Sequence, residues 1–425
     1  MSRLSITISQ ARITTLHANK KKMYRKTCIR KLDPEDLSSC LFVNRNWRKI
    51  LENDTHIDWR KVAQKTLPDE GLDMKRNSKL DWVGIVLKSW LWTYHLDRLK
   101  VELLHEYKCQ QDYWPSMAIY RDKLYVNTKK YSECIDIESC GHTQREENST
   151  EMYLFDESDH IRLLYDRTSK LKLIGKKSFD DNASCNPDST IDLVVNVFLL
   201  DEDRCYIFEE NKYLKVYIWA EQTWQSKWIA RFFGTTELNT MAVHRGDVYL
   251  LSRHGDMMWK AVEQRRQFRK IRSFNTPPYF NQANSKALLK TILNYNHCYH
   301  MQNDVSSIFV KGVTCATYHA GVLFLAYSNG QIEAWILKKL SLQPYYYYPL
   351  LPPPVFDSSS SFSRYGEPHL RDTNRLRICD RRQDIACLYD CIYNMAVYEG
   401  QSCSYLLVNC GHSIYQYRLT FPGLD

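Results

Sequence analysis

The stretch that decides the fold is a repeat unit of alternating residues and glycine turns. It reads Met241-Ala242-Val243-His244-Arg245-Gly246-Asp247-Val248-Tyr249-Leu250-Leu251-Ser252-Arg253-His254-Gly255-Asp256-Met257-Met258-Trp259. Apolar runs separated by Gly turns are typical of strand, tight turn, strand, turn and strand. A second copy runs from Cys315 to Trp335, and its two turn glycines have the same spacing as those of the first copy. The repetition predicts antiparallel sheets built from one unit used several times.

Looser copies of this unit occur elsewhere in the chain. They begin at Met117, Val197 and Met395. From Asp203 in one copy to Gly246 in the next is 43 residues, close to the length of one four-stranded propeller blade. The other intervals between copies are about twice that length, so each predicts a degenerate copy between two clear ones.

We therefore predict an all-β propeller over residues 111–425, with six to eight blades and seven favoured. A closed ring buries each sheet against its neighbours and leaves only short edges. The missing copies are expected at 153–165, 265–305 and 345–385, where the pattern is weaker. A β-sandwich is the weaker alternative, because it would not repeat one motif over so long a stretch.

The residues before the repeats have a helical pattern instead. In Trp82–Tyr94 the apolar residues recur three and four positions apart, which predicts an amphipathic helix. Its Trp82, Trp90 and Leu91 are expected to pack between the helices and the ring. Leu99, Leu103 and Leu104 are expected to continue this helix or to form another short one.

These patterns give an α+β multidomain chain. The predicted segments are a basic disordered tail at 1–31, a helical domain at 32–66, a helical linker at 67–110 and the propeller. No apolar run approaches the roughly 20 residues that cross a bilayer, which excludes an integral membrane protein.

The positive charge is concentrated in the tail. The whole chain has 58 Lys plus Arg against 49 Asp plus Glu, and the tail contains nine basic residues and no acid. The remaining chain is therefore neutral, with 58 − 9 = 49 basic residues against 49 acidic ones. A neutral body argues against a nucleic-acid partner. The tail itself is interpreted either as a solvated terminus or as a nuclear-import or polyanion-binding patch.

The candidate chemical groups are cysteines and histidines. The chain has 14 cysteines and no apolar secretion signal, which favours reduced thiols in the cytoplasm or nucleus. Cys and His cluster near 134–142, 297–300 and 403–412, but none of these clusters has the paired spacing of a zinc site. Sequence motifs of the common enzyme classes do not occur. We therefore expect no metal, no cofactor and no catalytic site.

One short segment resembles a known family. Leu32 to Leu51 is similar to the second half of an F-box, with a Leu-Asp-Pro-x-Asp-Leu start, then a Val, a basic residue and a Trp-Arg pair. The family's second Trp corresponds to Trp59. Where the family's first helix begins with Leu-Pro-x-Glu, this chain has Lys20-Lys21-Lys22-Met23, so the resemblance covers only part of the F-box.

Together with the propeller, the layout resembles the F-box/WD-repeat family. The resemblance implies a substrate-recognition subunit of an SCF-type E3 ubiquitin ligase, in which the F-box docks a Skp-type adaptor and cullin and the propeller binds a protein substrate. The substrate-binding residues are not identified by the sequence. The alternative is a propeller interaction scaffold with a vestigial F-box. The residues implied to contact the adaptor are Leu32, Pro34, Leu37, Leu41, Val43, Trp47 and Trp59.

Overall fold

The structure is a computed structural model, and all structural statements concern the residues it describes. These are residues 37, 41, 45–54, 57–67, 74–75, 78, 80–108, 116–127, 131–147, 153–158, 160–165, 170–176, 190–201, 203–209, 212–244, 246–253, 257–273, 287, 289–290, 293, 313–327, 330–336, 347–349, 392–410 and 413–422. The predicted tail at 1–31 lies outside them.

Within the described residues of the first hundred, three α-helices have defined bounds: α1 (Arg45–Glu52), α2 (Trp59–Thr66) and α3 (Trp82–Tyr94). The side chain of Asp58 accepts a hydrogen bond from the backbone of α2, and Asp81 does the same for α3. Such caps satisfy amide groups that have no partner within the first turn. Among the described residues, no helix combines the length and apolar character needed to span a membrane.

The rest of the described chain is almost entirely β-structure. The first strand, β1 (Lys100–Lys108), follows α3 and a 3₁₀ turn at Leu96–Arg98. Among the described residues the strands form three separate four-stranded sheets and one eleven-stranded sheet over residues 153–273. The long strand at 190–201 and the single parallel pair between Arg231 and Gln267 divide the eleven-stranded sheet into three four-stranded units. We therefore describe six sheets of four strands.

The first three sheets cover residues 116–231. Sheet 1 consists of β2 (Ser116–Tyr120), β3 (Lys123–Asn127), β4 (Tyr131–Asp136) and β5 (His142–Glu147). Sheet 2 consists of β6 (Tyr153–Glu157), β7 (Ile161–Tyr165), β8 (Lys170–Gly175) and the first half of β9 (Thr190–Asp201). Sheet 3 consists of the second half of β9, β10 (Arg204–Glu209), β11 (Tyr213–Ala220) and β12 (Thr223–Arg231).

The last three sheets complete the β region. Sheet 4 consists of β13 (Leu238–His244), β14 (Asp247–Ser252), β15 (Met257–Val262) and β16 (Gln267–Ser273). Sheet 5 consists of β17 (Val313–His319), β18 (Val322–Tyr327), β19 (Ile332–Ile336) and β20 (Tyr347–Pro349). Sheet 6 consists of β21 (Asn394–Glu399), β22 (Ser404–Asn409), β23 (Ser413–Thr420) and β1.

The six sheets pack side by side into a closed, propeller-like ring. Hydrophobic clusters join sheet 2 to sheet 3, sheet 3 to sheet 4, sheet 4 to sheet 5, sheet 5 to sheet 6, and sheet 6 to sheet 1. Strands β2 and β6 make the contact between sheets 1 and 2. Each sheet thus buries both faces against its neighbours, which no sheet could do alone.

The predicted mostly-β architecture with helices at the N-terminal end is confirmed. The copies quoted from the sequence are the first strands of sheets 4, 5, 6, 1 and 3, and the weaker copy at 153–165 belongs to sheet 2. The described residues form six sheets, the lower end of the predicted range, rather than the favoured seven.

Two degenerate blades were expected at 265–305 and 345–385, and most of these residues lie outside the described part of the chain. Sheets 4 and 5 share one hydrophobic cluster, and β17 contacts β21 directly, so sheets 4, 5 and 6 are immediate neighbours. The described residues of the two intervals include β16 of sheet 4, β20 of sheet 5 and part of the cluster between sheets 4 and 5. A spacing alone does not distinguish an insertion from a blade.

The expected helical linker at 67–110 is wrong over its last part. Residues 100–108 form β1, which pairs antiparallel with β23. Leu103 and Leu104 are therefore strand residues. Pairing of this segment with the edge strand β23 of sheet 6 stabilises the strand more than local propensity stabilises a helix. Tertiary contacts commonly override a weak local preference of this kind.

Candidate functional site

The first candidate surface is the helical unit, which we define as Leu37, Leu41, α1, α2 and the residues of α3 that pack on them. Three of the residues implied to contact an adaptor, Leu37, Leu41 and Trp59, are all buried in one hydrophobic cluster. The cluster is completed by Leu51, Val62, Ala63, Val83, Val86 and Leu87. The helical unit thus has a core of its own, to which α3 contributes.

The other implied adaptor contacts cannot be placed in this core. Trp47 lies in α1, but its side chain is outside the described residues, as are Leu32, Pro34 and Val43. On the outer side of α2, Lys61 and Lys65 are exposed. Any partner of the helical unit would therefore meet its outer face, while Leu37, Leu41 and Trp59 support that face from within.

The helical unit is attached to the ring through a buried group that we call the Trp92 junction: Trp92, His319, Glu399 and Ser404. The indole N–H of Trp92 donates to Oε1 of Glu399 over 2.6 Å, and Nε2 of His319 is also 2.6 Å from that oxygen. The hydroxyl of Ser404 donates to Oε2 of Glu399 over 2.5 Å. One carboxylate therefore connects α3 with sheets 5 and 6.

Aromatic packing surrounds the same indole. Trp92 is fully buried and meets the rings of Phe324 and Phe421 edge-on, with centroids 5.6 Å and 5.2 Å apart. Edge-to-face pairs of this kind add to the stabilisation from burial alone. The expectation that Trp82, Trp90 and Leu91 lie between helices and ring is met by their packing against the sheet 5–sheet 6 cluster. The sequence did not single out Trp92.

Glu399 is ionised in this setting. Burial raises its pKa, but the hydrogen bond and charge of His319, the charge of Lys88 and the Ser404 hydrogen bond together lower it to about 2. A buried carboxylate is tolerated when it is paired and hydrogen-bonded. Ser404 and His319 both bond to the carboxylate, so these contacts serve attachment and do not form a nucleophile–base pair.

A second charged group joins sheets 1 and 2. The buried Glu157 pairs with Arg162 and with Lys176, and the ammonium group of Lys176 lies 4.8 Å from the ring centroid of Tyr120. Burial lowers the pKa of Lys176, against the opposing effect of Glu157. The backbone oxygen of Lys176 accepts from the indole of Trp219 over 2.9 Å. These contacts join β2 of sheet 1, β6, β7 and the end of β8 of sheet 2, and β11 of sheet 3.

Another candidate surface lies on the outer perimeter of sheets 3 and 4. We call it the arginine–aromatic surface, and it consists of Tyr213, Trp228, Arg231, Phe233 and Arg266. The guanidinium of Arg231 lies 5.1 Å from the ring centroids of both Tyr213 and Phe233, and that of Arg266 lies 5.0 Å from Trp228. Phe233 is 62% exposed. Exposed cations held against aromatic rings are pre-oriented for an incoming group.

The charge of this surface continues along the outermost strand of sheet 4. Arg265, Arg266, Arg269 and Lys270 are all exposed, and Arg272 follows in the sequence. Sequence reasoning treated 265–305 as poorly patterned and missed this feature. The signal available was the cationic run itself, which stands out in a body with no net charge.

The predicted cysteine clusters do not assemble a metal site within the described residues. Cys134 and Cys140 are half-buried, and Cys403 and Cys410 are buried. Residues 297–300 and His412 lie outside the described part of the chain. Burial raises the pKa of Cys315 to about 12, which keeps that thiol protonated and unreactive.

No protein-family model and no curated protein sequence matches this chain. Among solved structures, the chain is similar to β-propeller proteins. The N-terminal domain of Nup159 is 12% identical over 72% of this chain and 75% of that chain, with a TM-score of 0.34. Hsv2 of Kluyveromyces lactis is 7% identical over 69% and 77%, with a TM-score of 0.31. BamB from Moraxella catarrhalis is 8% identical over 75% and 99%, with a TM-score of 0.36.

Likenesses of this degree carry no conclusion about function. The ring described above rests on the strand pairing and the hydrophobic clusters of this chain.

Proposed function

We propose that the chain is a non-catalytic adaptor in which the helical unit is an F-box-like docking module and the ring is a β-propeller that binds a protein partner. In this proposal the helical unit engages a Skp-type adaptor and its cullin, and the ring presents the partner for ubiquitination. A bridge of this kind works by raising effective concentration and contributes no catalytic group.

The observation that carries the proposal is the Trp92 junction. An adaptor can hold its partner in a defined position only if its two parts are fixed relative to each other. Trp92, His319 and Glu399 join α3 to sheets 5 and 6 by short, buried hydrogen bonds. α3 also contributes Val83, Val86 and Leu87 to the helical unit. One helix therefore belongs to both cores.

The F-box part of the proposal is supported by the resemblance of residues 32–51 and by the presence of α1 and α2 around that segment. Leu37 and Trp59, both implied by the resemblance, lie in the same core. That core keeps the outer faces of α1 and α2 in place for a partner.

The test is co-purification of the full chain with a Skp-type adaptor and cullin. We expect the wild-type chain and the control Gln225→Ala, at an exposed position of β12 on the ring, to retain the adaptor, and Trp47→Ala to lose it. Circular dichroism and thermal unfolding of each variant show whether the helical unit is still folded. Absence of the adaptor from the folded wild-type chain would contradict the docking proposal.

A second candidate function is a propeller scaffold without a ligase role. The burial of Leu37, Leu41 and Trp59 within the chain favours it, because these side chains are then explained by folding alone. It predicts that the ring partner is retained unchanged by a folded Trp47→Ala variant and that neither form retains an adaptor.

A further inference from the structure

The outer edge of sheet 4 carries cations that no carboxylate in the described residues neutralises. Arg231, Arg265, Arg266, Arg269 and Lys270 take part in no ion pair there. The nearest acid on the same segment, Glu263, is paired with Lys227. The outer strand of sheet 6 differs, since the two lysines of β1 are matched by two glutamates in the same strand.

β16, the outermost strand of sheet 4, has an open edge. β16 pairs with β15 along its length, whereas on its other side it meets β12 only at Gln267, opposite Arg231. From Phe268 onward no described strand lies on that outer side. An edge strand of this kind presents backbone N–H and C=O groups that can pair with an added strand.

The side chains of the edge are arranged for an extended ligand. Residues of a strand alternate between its two faces, so Arg269 and Lys270 point to opposite faces. Ile271 is 41% exposed beside them. An extended peptide with acidic residues on both of its faces therefore meets a cation on either side of the edge.

The aromatic groups favour a peptide over a nucleic acid. Arg231 covers Tyr213, and Arg266 covers Trp228, so these ring faces are engaged by guanidinium groups. Single-stranded nucleic acids bind largely by stacking bases on open aromatic faces. Main-chain pairing at an open strand edge is available to a peptide and not to a nucleic acid or a lipid headgroup.

We propose that the outer edge of β16, flanked by Arg231 and Arg266, binds an extended acidic peptide segment of a protein partner by strand addition. This deepens the proposed function by giving the partner of the ring a surface and a chemistry, and it rests on that proposal for the role of the ring. The edge belongs to sheet 4, whereas the Trp92 junction joins α3 to sheets 5 and 6.

The experiment measures fluorescence anisotropy of a labelled peptide of Glu-Glu-Val repeats, which carries Glu on both faces and is roughly ten residues long, enough to span a strand. The protein is the full chain without adaptor. We expect Arg269→Gln with Lys270→Gln to weaken binding about tenfold, since two charge contacts are lost. The matched control, Lys100→Gln with Lys108→Gln on β1, is expected to leave binding unchanged.

Two further probes separate the modes of binding. The same peptide with alternate backbone nitrogens methylated keeps its charge but loses the donors of a β-ladder, and we expect it not to bind. Single-stranded DNA and vesicles containing an anionic lipid are expected to bind more weakly than the peptide.

Several results would overturn the proposal. The peptide would not bind to the wild-type chain, or the β1 control would weaken binding as much as the β16 variant does. Alternatively, the methylated peptide would bind as well as the unmethylated one, or DNA or vesicles would bind more tightly than the peptide. In those cases the cations only protect an open edge from aggregation or serve another polyanion. Adaptor co-purification is measured separately from peptide binding. A negative peptide result therefore does not contradict the docking proposal, and a negative co-purification result does not contradict peptide binding at β16.

Discussion

Trp92 shows how much of the attachment between helices and ring depends on a single side chain. It donates to Glu399, packs on Phe324 and Phe421, and is fully buried. The sequence indicated Trp82, Trp90 and Leu91 for this role because they fit a helical stripe. The orientation of a helix is inferred from the side that carries polar residues. α3 buries residues all around its axis, so the sequence does not indicate which of its tryptophans faces the ring.

We predict that Trp92→Phe destabilises the protein by about 2 kcal/mol, because a buried carboxylate loses a donor and the smaller ring leaves a void. Urea unfolding measures the change. The control is Trp90→Phe. The side chain of Trp90 is only half-buried, so this substitution should lower the free energy of unfolding by less. Equal losses for the two variants would contradict the role assigned to Trp92.

The pH dependence of stability tests the charge at the Trp92 junction. The pKa of Glu399 is lowered in the folded state to about 2 from an ordinary value of 4.5, so the folded state favours the ionised form. Its contribution is fully present above about pH 5 and is lost as the pH falls toward 2.

We therefore expect the unfolding free energies of wild type and Glu399→Gln to differ most near neutral pH. The difference should narrow steadily between about pH 5 and pH 3 as Glu399 becomes protonated, chiefly in the unfolded state. A difference that is independent of pH over this interval would show that the charge of Glu399 is not what stabilises the junction.

Gly175 tests the close packing between sheets 2 and 3. A Cβ added there would lie 2.3 Å from the ring of Trp219, an atom pair that cannot approach so closely. We predict that Gly175→Ala costs more than 2 kcal/mol, roughly the cost of overpacking a core. The control, Gly246→Ala, meets no atom within 4 Å and has only its φ of +80° to strain it, so thermal unfolding should show a smaller loss.

Among the elements, the strands with local signals were the predictable ones. The hairpin of β13 and β14 and that of β17 and β18 combine apolar runs with a glycine at positive φ in the turn, and a glycine supplies that conformation without strain. Outer strands such as β16 and β20 have no such signal. Their position depends on pairing with strands already formed.

β1 is the element for which the sequence was misleading. Its leucines have helical spacing, yet it closes the ring by pairing with β23. The hydroxyl of Tyr107 donates to Gln416 over 2.6 Å, and Gln416 in turn donates to the backbone oxygen of Ile137 in the loop after β4. Contacts between residues about 300 positions apart cannot be read from a local pattern.

We predict that Leu103→Pro opens this closure, because proline interrupts the ladder in the middle of β1. Hydrogen exchange should show lost protection in β23 and retained protection in β10 and β11. The control is Lys100→Pro at the first residue of the strand, where proline is tolerated. Retained protection of β23 in Leu103→Pro would mean that the ring closes without β1.

For the whole molecule, the sequence predicted a ring after a helical region but not the number of sheets. The repeat copies gave the sheets their positions, whereas the long intervals after sheets 4 and 5 do not separate these sheets from their neighbours in the ring. The candidate adaptor contacts were predicted by resemblance, and the three whose side chains are described, Leu37, Leu41 and Trp59, lie in a core. The Trp92 junction and the arginine–aromatic surface depend on residues that only folding brings together.

The central claim is that the helical unit and the ring form one cooperative body, since a bridge cannot position a partner otherwise. Native-state hydrogen exchange in increasing denaturant measures this most directly, because it gives a free energy of opening for each element. We predict that amides of α3 and of β21 open with the same free energy, and that Trp92→Phe lowers both together. Opening of α3 at a clearly lower free energy, with β21 unaffected, would contradict the account.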